Sequence, residues 1–341
     1  MKYYILTTTK FAEECITYLT YGSTQSNWLA NINVGDMIFL SQFNYKSQDL
    51  FGPFRVTKTL FYDKTIIYPQ QKYFFRIQYN PIGAIKKIGE TDLYLRGIES
   101  NNIAAYFQII NLIQQNKHLH CMCLTKDEGE AILNTFLKIG IEYANNLKSS
   151  IQSNLKNISS NIDCEYIYNK NKLDKKCYFS SESDLEAYII FSIKITKSDE
   201  YKNVNKLLNK YPNNGLQCEI YNQFIFGNAY PSDIVILNKE NINVFELKKD
   251  KLSNSNIAQI EKEIEKHLYY SLFSNRIKSN TGINRFNFYL TYLKDNASEQ
   301  FEQSIIKKYK HLCNKIIGLR ENTITFVEYE VKDKILLLEE Q

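Results

Sequence analysis

Two short apolar runs separated by four polar residues predict a β-hairpin in the second half of the chain. The runs cover residues 234–237 and 242–247. Because side chains alternate along a strand, Glu246 and Lys248 share one face, while their apolar neighbours turn towards a core. Asp233 lies where the first strand begins. The hairpin therefore brings two carboxylates beside one ammonium, a set that can hold a hard divalent cation and steady a water that attacks a phosphodiester.

The segments on either side of the hairpin predict helices that carry two further polar side chains. Residues 181–190 begin with a serine cap and contain Glu186, and residues 256–273 have helical spacing and contain Gln259. Glu186 has two interpretations, either a member of a cation site or the glutamate of a capping box three positions after Ser183. The hairpin acids also have a second interpretation, as a solvated strand edge.

The order of these elements resembles the PD-(D/E)XK nuclease superfamily, and within it the archaeal NucS-type and related RecB-like endonucleases. The resemblance spans residues 181–273 and rests on Asp233, the Glu-Leu-Lys run that starts at Glu246, and the two flanking helices. It implies a restriction-endonuclease-like domain, in which a mixed sheet is flanked by helices.

The resemblance also implies a role for each residue. Asp233 and Glu246 would ligate Mg²⁺ or Mn²⁺, and Glu186 would complete the ligand shell through a water. Lys248 would orient the hydrolytic water or neutralise charge in the transition state. Gln259 would position the site from the following helix, although the residue four positions further on is a glutamate and not the tyrosine of the RecB-like pattern.

The first part of the chain predicts a small β-barrel. Trp28, the only tryptophan, lies in a polar loop at residues 22–30, which follows a predicted helix at residues 11–21. A second helix is predicted at residues 98–116. Several short strands with one or two helices favour a barrel. The predicted strands cover residues 2–8, 37–43, 50–56 and 72–79.

These residues carry a second resemblance, to the PUA-like barrels of the YTH, EVE and DCD type. It rests on the order of YYILTTT, the Trp28 loop, GDMIFL, LFGPFRV and FFRIQY. Such domains bind modified bases, commonly a methylated adenine or cytosine turned out of the nucleic acid and stacked on aromatic faces. An ordinary buried tryptophan is the alternative for Trp28. The pocket residues that the resemblance implies are Trp28 with Tyr62 or Tyr68 as walls, and Ser26, Asn27 and Asn44 as hydrogen-bonding partners.

A long helix is predicted between the two regions. A capping box at Thr125 and Glu128 starts an amphipathic pattern that runs to about residue 155, and its irregular heptads favour a spacer over a dimerisation helix. The predicted fold class is α/β, or α+β. The predicted organisation is a PUA-like base-binding domain at residues 1–124, a helical connector at residues 125–176 and a nuclease domain at residues 177–341.

Composition narrows the picture only slightly. A chain of 341 residues with 44% hydrophobic and 23% charged residues suits two or three globular domains, and a net charge of +5 is compatible with a nucleic-acid partner without demonstrating one. Seven cysteines, an odd number, favour reduced thiols. In the run HLHCMC, strand alternation would place the two histidines on one face and the two cysteines on the other. This arrangement disfavours a metal site that uses all four side chains. No apolar run reaches the roughly 20 residues that span a bilayer, so we expect a cytoplasmic protein without membrane contact.

Together these patterns predict a Mg²⁺- or Mn²⁺-dependent DNA endonuclease that its N-terminal domain directs to modified, possibly methylated, DNA in restriction or defence. A homodimer would allow both strands of a duplex to be cut. One alternative is a nuclease for structured or mismatched DNA in repair, or for RNA. Another alternative is an adaptor that binds nucleic acid without catalysis.

Overall fold

The chain folds as two units, Met1–Ile167 and Tyr168–Gln341. Each unit contains its own β-sheet, and each is considered by itself below. The computed structural model describes residues 1–44, 47–69, 71–115, 119–143, 162–163, 179, 181–194, 219–226, 231–237, 241–250, 262, 285–294, 303–307, 311, 323–332 and 335–340.

An eight-stranded mixed sheet forms the first unit. Its strands are β1 (Tyr3–Thr8), β2 (Thr20–Ser23), β3 (Met37–Asn44), β4 (Ser47–Tyr62), β5 (Phe75–Gly89), β6 (Cys121–Leu124), β7 (Ile141–Glu142) and β8 (Ile162–Asp163). The order is β2-β5-β4-β3-β1-β6, with β7 beside β5 and β8 beside β4. Strands β1 and β3 are parallel, and the other pairs are antiparallel.

This sheet curls until its two ends approach each other. The hydroxyl group of Tyr21, on β2 at one end, lies 2.8 Å from the carbonyl oxygen of His120, which directly precedes β6 at the other end. The same hydroxyl lies 3.0 Å from the carbonyl oxygen of Thr7 on β1. The predicted barrel is therefore a curled sheet, and its seam lies between β2 and the start of β6.

The start of this unit differs from the prediction in one respect. Helix α1 (Ala12–Tyr18) ends earlier than predicted, because Leu19 adopts a left-handed backbone with φ of 47°. The chain then enters β2, which the sequence analysis assigned to the end of a helix and a loop. The short helix α2 (Asn27–Ala30) follows and contains Trp28.

Three further helices pack on the first unit. They are α3 (Glu90–Glu99), α4 (Ile103–Gln115) and α5 (Lys126–Ile139). The single predicted helix at residues 98–116 thus corresponds to α4 and the end of α3. The predicted capping box of α5 is present, since Thr125 N donates to Glu128 Oε2 at 2.8 Å and Glu128 N donates to Thr125 Oγ1 at 3.4 Å.

Helix α5 belongs to the first unit and is not a long spacer. The prediction of a helix to about residue 155 is wrong, because α5 ends at Ile139 and Ile141–Glu142 pairs with β5. Its apolar face is buried, with the ring of Phe136 stacked on Phe39 at a centroid distance of 5.6 Å. The apolar stripe of this helix did not distinguish a spacer from a packed helix, because both have the same amphipathic pattern.

A six-stranded mixed sheet forms the second unit. Its strands are β9 (Glu219–Ile225), β10 (Pro231–Leu237), β11 (Asn241–Leu247), β12 (Arg285–Leu293), β13 (Thr323–Lys332) and β14 (Ile335–Glu340). The order is β14-β13-β12-β11-β10-β9. Strand β11 is parallel to β12, and β12 is parallel to β13, whereas the remaining pairs are antiparallel.

The hairpin prediction is confirmed by β10 and β11. Ile234 pairs with Phe245 and Leu237 pairs with Ile242, so the two strands run antiparallel. Strands β12, β13 and β14 follow the hairpin along the chain. Strand β9 was missed. Most of the helix predicted at residues 256–273, including Gln259, lies outside the described residues.

Helix α6 (Glu182–Lys194) belongs to the second unit and carries Glu186, one of the predicted site residues. Its cap is formed by Ser181, whose Oγ accepts from Asp184 N at 3.1 Å and donates to Asp184 Oδ2 at 2.9 Å. The capping-box interpretation of Glu186 is therefore wrong. Glu186 lies further along the helix, with 2% of its surface exposed.

In the described ranges, no helix is long and apolar enough to cross a bilayer.

Candidate functional site

Asp233 is fixed at the start of the β10–β11 hairpin by the backbone of the partner strand. Its Oδ2 accepts a hydrogen bond from Leu247 N at 2.8 Å. Part of the residue remains exposed. This bond orients the carboxylate towards the strand that carries Glu246 and Lys248.

Glu246 and Lys248 form a buried ion pair on β11 and directly after it. Lys248 Nζ donates to Glu246 Oε1 at 2.9 Å, and the two residues are only 8% and 7% exposed. The alternation predicted from the sequence places both side chains on one face, as their contact requires. The burial of Glu246 excludes the interpretation of this acid as part of a solvated strand edge.

Glu186 joins this group through Gln223 on β9. Gln223 Nε2 donates to Glu186 Oε2 at 2.8 Å and to Asp233 Oδ1 at 3.2 Å. The structure therefore brings four of the five predicted catalytic residues to one place, and it adds a residue that the sequence analysis did not select. The four are Glu186, Asp233, Glu246 and Lys248.

The pKa of Asp233 is affected by the other acids of the group. Burial of its carboxyl group raises the pKa of Asp233 well above the usual value, and the negative charges of Glu246 and Glu186 raise it further. The N–H of Leu247 and the ammonium of Lys248 act in the opposite direction. Three carboxylates share the site with one ammonium, so ionisation of all three leaves an excess of negative charge.

The donor set suits a hard divalent cation. Carboxylate oxygens are the ligands that Mg²⁺ and Mn²⁺ prefer, and a cation would neutralise the excess negative charge. Among the described residues, however, no group of three or more His, Cys, Asp or Glu is arranged so as to hold a metal ion. The amide of Gln223 stands between Glu186 and Asp233, and a cation bound by both acids would take its place.

A cavity in the first unit lies at the seam of the curled sheet. The end of β1, helix α1, strand β2, the β4–β5 connection and the residues before β6 all contribute to its wall. Its aromatic and ionisable lining residues are Phe11, Cys15, Tyr21, Tyr68, Tyr73 and His120. The remaining lining residues, such as Gly22, are small, polar or aliphatic.

The cavity wall is held by buried hydrogen bonds. Tyr68 donates its hydroxyl group to the carbonyl oxygen of Thr20 at 2.8 Å, and its ring lies 5.4 Å from that of Tyr73. Arg76 secures the β4–β5 connection, since its Nε donates to the carbonyl oxygen of Tyr73 at 2.9 Å and its guanidinium pairs with Asp63 at 3.5 Å. These contacts hold two tyrosine rings in place at the cavity.

Burial favours the neutral forms of three ionisable groups of the cavity, His120, Cys15 and Tyr68. Burial lowers the pKa of His120 and raises the pKa of the Cys15 thiol to about 12. Burial also raises the pKa of Tyr68. At neutral pH the cavity therefore presents uncharged aromatic and hydrogen-bonding groups.

The predicted base-binding residues occupy different positions around this cavity. Tyr68 is part of its wall. The Trp28 ring lies 5.9 Å from that of His120, and its Nε1 donates to Gln25 Oε1 at 3.1 Å, which places it beside the cavity. Tyr62 instead packs against Phe75, with a centroid distance of 5.2 Å.

The three polar residues of the same prediction are less directly connected with the cavity. Ser26 and Asn27 are buried at the start of α2, with 1% and 3% of their surfaces exposed. The Asn44 side chain lies outside the described residues. A role in base binding stays a prediction for all three.

Three residues, Gln223, Tyr73 and His120, were not predicted as site residues from the sequence. Gln223 lies on a strand that was not predicted, so nothing linked it to the acids. His120 was visible in the HLHCMC run, but its position at the seam depends on how far the sheet curls.

The N-terminal part of the chain is similar to several solved structures, each matched over 39% of this chain. Human THYN1 protein, solved in complex with 5-methylcytosine-containing DNA, is 13% identical with a TM-score of 0.30 over 96% of its length. The DUF55 domain of human thymocyte nuclear protein 1 is 12% identical with a TM-score of 0.29 over 96% of its length. A protein from Pseudomonas syringae is 18% identical with a TM-score of 0.28 over 97% of its length. No protein-family model and no curated protein matches the sequence.

Proposed function

We propose that the second unit is a cation-dependent endonuclease and that the first unit presents its cavity to a modified base of the DNA substrate. The observation that carries the proposal is the meeting of Glu186, Asp233 and Glu246 with Lys248. Buried acids collected around a single lysine are costly to a fold, and they persist where function requires them.

The residues divide the work of phosphodiester hydrolysis among them. Asp233 and Glu246 would hold Mg²⁺ or Mn²⁺, with Glu186 completing the site. When bound, the cation supplies charge stabilisation and lowers the pKa of a water ligand. Lys248, tied to Glu246 at 2.9 Å, keeps further N–H donors with which to orient a water or to meet charge on the phosphate.

The cavity at the seam suits a flat, uncharged ring. A base that leaves the helix stack loses its neighbours, and aromatic side chains such as Tyr68 and Tyr73 replace them. The neutral imidazole of His120 offers hydrogen bonds to the edge of a base, and the hydroxyl oxygen of Tyr21, whose proton is donated to backbone carbonyls at the seam, can accept one. Apolar surface close to the ring would favour a base that carries an added methyl group.

Restriction or defence follows as the proposed role, because a nuclease that reads a modified base separates marked DNA from unmarked DNA. A dimer would place one active site on each strand of a duplex.

Cleavage of matched duplexes tests the proposal. One duplex carries 5-methylcytosine, the modified base in the DNA bound by human THYN1, and the other is unmodified. With Mg²⁺ or Mn²⁺ present we expect faster cleavage of the modified duplex, and EDTA should stop the reaction. Equal cleavage would remove the modified-base claim. Activity only on mismatched DNA, branched DNA or RNA in the same panel would redirect the nuclease to those substrates.

One observation favours a second candidate function, binding of nucleic acid without catalysis. The amide of Gln223 donates to Glu186 Oε2 and to Asp233 Oδ1, so hydrogen bonds link these two acids without a cation. In that case the Asp233→Ala variant would leave nucleic-acid affinity and cellular phenotype unchanged, and no divalent cation would bind. The nuclease predicts lost cleavage with substrate binding retained.

A further inference from the structure

Gln223 occupies the position between two carboxylates that the proposed cation would join. Its Nε2 lies 2.8 Å from Glu186 Oε2 and 3.2 Å from Asp233 Oδ1, and the residue is 8% exposed. One amide nitrogen therefore links an acid of helix α6 to an acid of strand β10. Few other neutral side chains can donate to two carboxylates at once.

The backbone at Gln223 is unusual for a strand. Its φ is 50°, in the left-handed region that a residue with a side chain rarely enters. On β9 the residues before and after it pair regularly with β10, Asn222 with Ile234 and Phe224 with Ser232. The deviation is thus confined to the residue opposite Asp233. Strained backbone of this kind is typical of positions where a side chain must reach a fixed target.

The Gln223 amide reduces the repulsion between the carboxylates of the site. Two carboxylates that face each other without a positive group between them repel, and the positive ends of the two N–H bonds of an amide reduce that repulsion. A divalent cation reduces it more strongly. Amide and cation therefore satisfy the same acids in alternative states.

We propose that Gln223 is a positioning residue that takes the place of the cation in the cation-free protein and gives way to it on binding. The inference rests on the proposed function, because it presupposes that a divalent cation binds these acids. It goes beyond that function by assigning a role to a strand residue that keeps the acid site assembled while it is empty. The cation then binds to acids that are already close together, and the amide is its competitor.

Substitution at Gln223 separates this role from a merely structural one. Gln223→Asn suits the left-handed backbone, since asparagine enters that region readily, but its shorter side chain cannot span both acids. Gln223→Met keeps the length and removes both donors. Gln78, a partly exposed glutamine on strand β5 of the first unit, provides the matched control as Gln78→Asn.

The measurement is the unfolding midpoint of the full chain in EDTA and in excess Mn²⁺, at matched ionic strength. Loss of the two hydrogen bonds should lower the EDTA midpoint of both Gln223 variants by about 5 °C. The rise in midpoint on adding Mn²⁺ should be larger in both variants than in the wild type, and Gln78→Asn should show the wild-type rise. Calorimetric titration should give at least about a threefold tighter Mn²⁺ affinity for Gln223→Asn, because no amide bridges the two acids in competition with the cation.

Two results would overturn the inference, and they differ from each other. If wild type and Gln223 variants gain equal stability from Mn²⁺, with equal affinity, Gln223 is structural and the cation site survives without this role. If Mn²⁺ and Mg²⁺ neither stabilise nor bind the wild-type chain, the proposed cation-dependent function fails, and the role of Gln223 fails with it.

Discussion

The two units place polar groups inside a fold in opposite ways. The cavity of the first unit is lined by groups whose neutral forms are favoured by burial, such as His120 and Tyr68. The second unit gathers three acids around Lys248, and burial with mutual repulsion raises the pKa of Asp233. A neutral cavity suits an uncharged ring, whereas crowded acids are stabilised by a proton, by the amide of Gln223 or by a cation. This difference is the basis on which we propose base recognition for the first unit and cation-dependent chemistry for the second.

Removal of single acids should give the largest effect. Asp233→Asn and Glu246→Gln should each lower the rate of DNA cleavage by about a thousandfold or more, because each removes a proposed cation ligand. Binding of DNA should change little. The matched control is Glu219→Gln, an exposed acid on β9, which should cleave at the wild-type rate. Comparable cleavage by all three variants would show that the acid group is not the active site.

Filling the cavity should affect recognition and leave chemistry intact. A methyl group added at Gly22 would come within 2.8 Å of Tyr73 and 2.9 Å of Tyr68, so Gly22→Ala should displace the cavity wall. We expect at least about a tenfold loss of preference for modified DNA, near 1.4 kcal/mol. Gly89→Ala, where the nearest side-chain atom is 3.6 Å away, serves as the control. An unchanged preference in a folded Gly22→Ala protein would place base reading elsewhere.

The stabilities of the two units should depend on pH with opposite signs. Below the usual value of 6.5 the unfolded chain protonates His120 while the folded chain resists, so the first unit loses stability as the pH falls. Above the usual value of 3.8 the unfolded chain releases the Asp233 proton while the folded chain retains it, so the cation-free second unit loses stability as the pH rises towards the raised pKa.

Denaturant unfolding across this pH range measures both effects. Fluorescence of Trp28, the only tryptophan, reports on the first unit, and hydrogen exchange resolves the second. His120→Gln should weaken the pH dependence of the stability of the first unit, and Asp233→Asn should weaken that of the second unit. Parallel slopes in the two units would contradict the assignment of a neutral cavity and a charged site.

The smallest expected effect concerns helix α5. Thr125→Ala removes the N-cap that Glu128 N contacts, and should lower the unfolding free energy of the first unit by about 1 kcal/mol. The Trp28 fluorescence transition should shift, while hydrogen exchange of the second unit should not. A shift in the second unit alone would return α5 to the role of a connector.

Local patterns predicted the parts of the site that are close in sequence. The hairpin, its alternation and the Glu246–Lys248 contact follow from strand geometry, and Asp233 lies next to them in the chain. Glu186 was recognised only through a resemblance, with a capping role as its alternative. Its true position depends on how α6 packs on the sheet.

The residues that sequence analysis missed depend on long-range geometry. Gln223 reaches the acids because β9 pairs with β10 in one register and because its own backbone is left-handed. A local sequence pattern predicts neither this register nor this backbone conformation. His120 and Tyr73 meet only because the sheet curls. The end of α5 at Ile139 was also missed, since the apolar stripe of a packed helix equals that of a spacer.

Anomalous diffraction from crystals soaked in Mn²⁺ tests the central claim most directly. The account predicts an anomalous peak bounded by carboxylate oxygens of Asp233 and Glu246, with the amide of Gln223 moved from between Glu186 and Asp233. Crystals of Asp233→Asn should lack the peak. A fully soaked wild-type crystal with no peak at these acids, and with Gln223 still bridging them, would contradict the account.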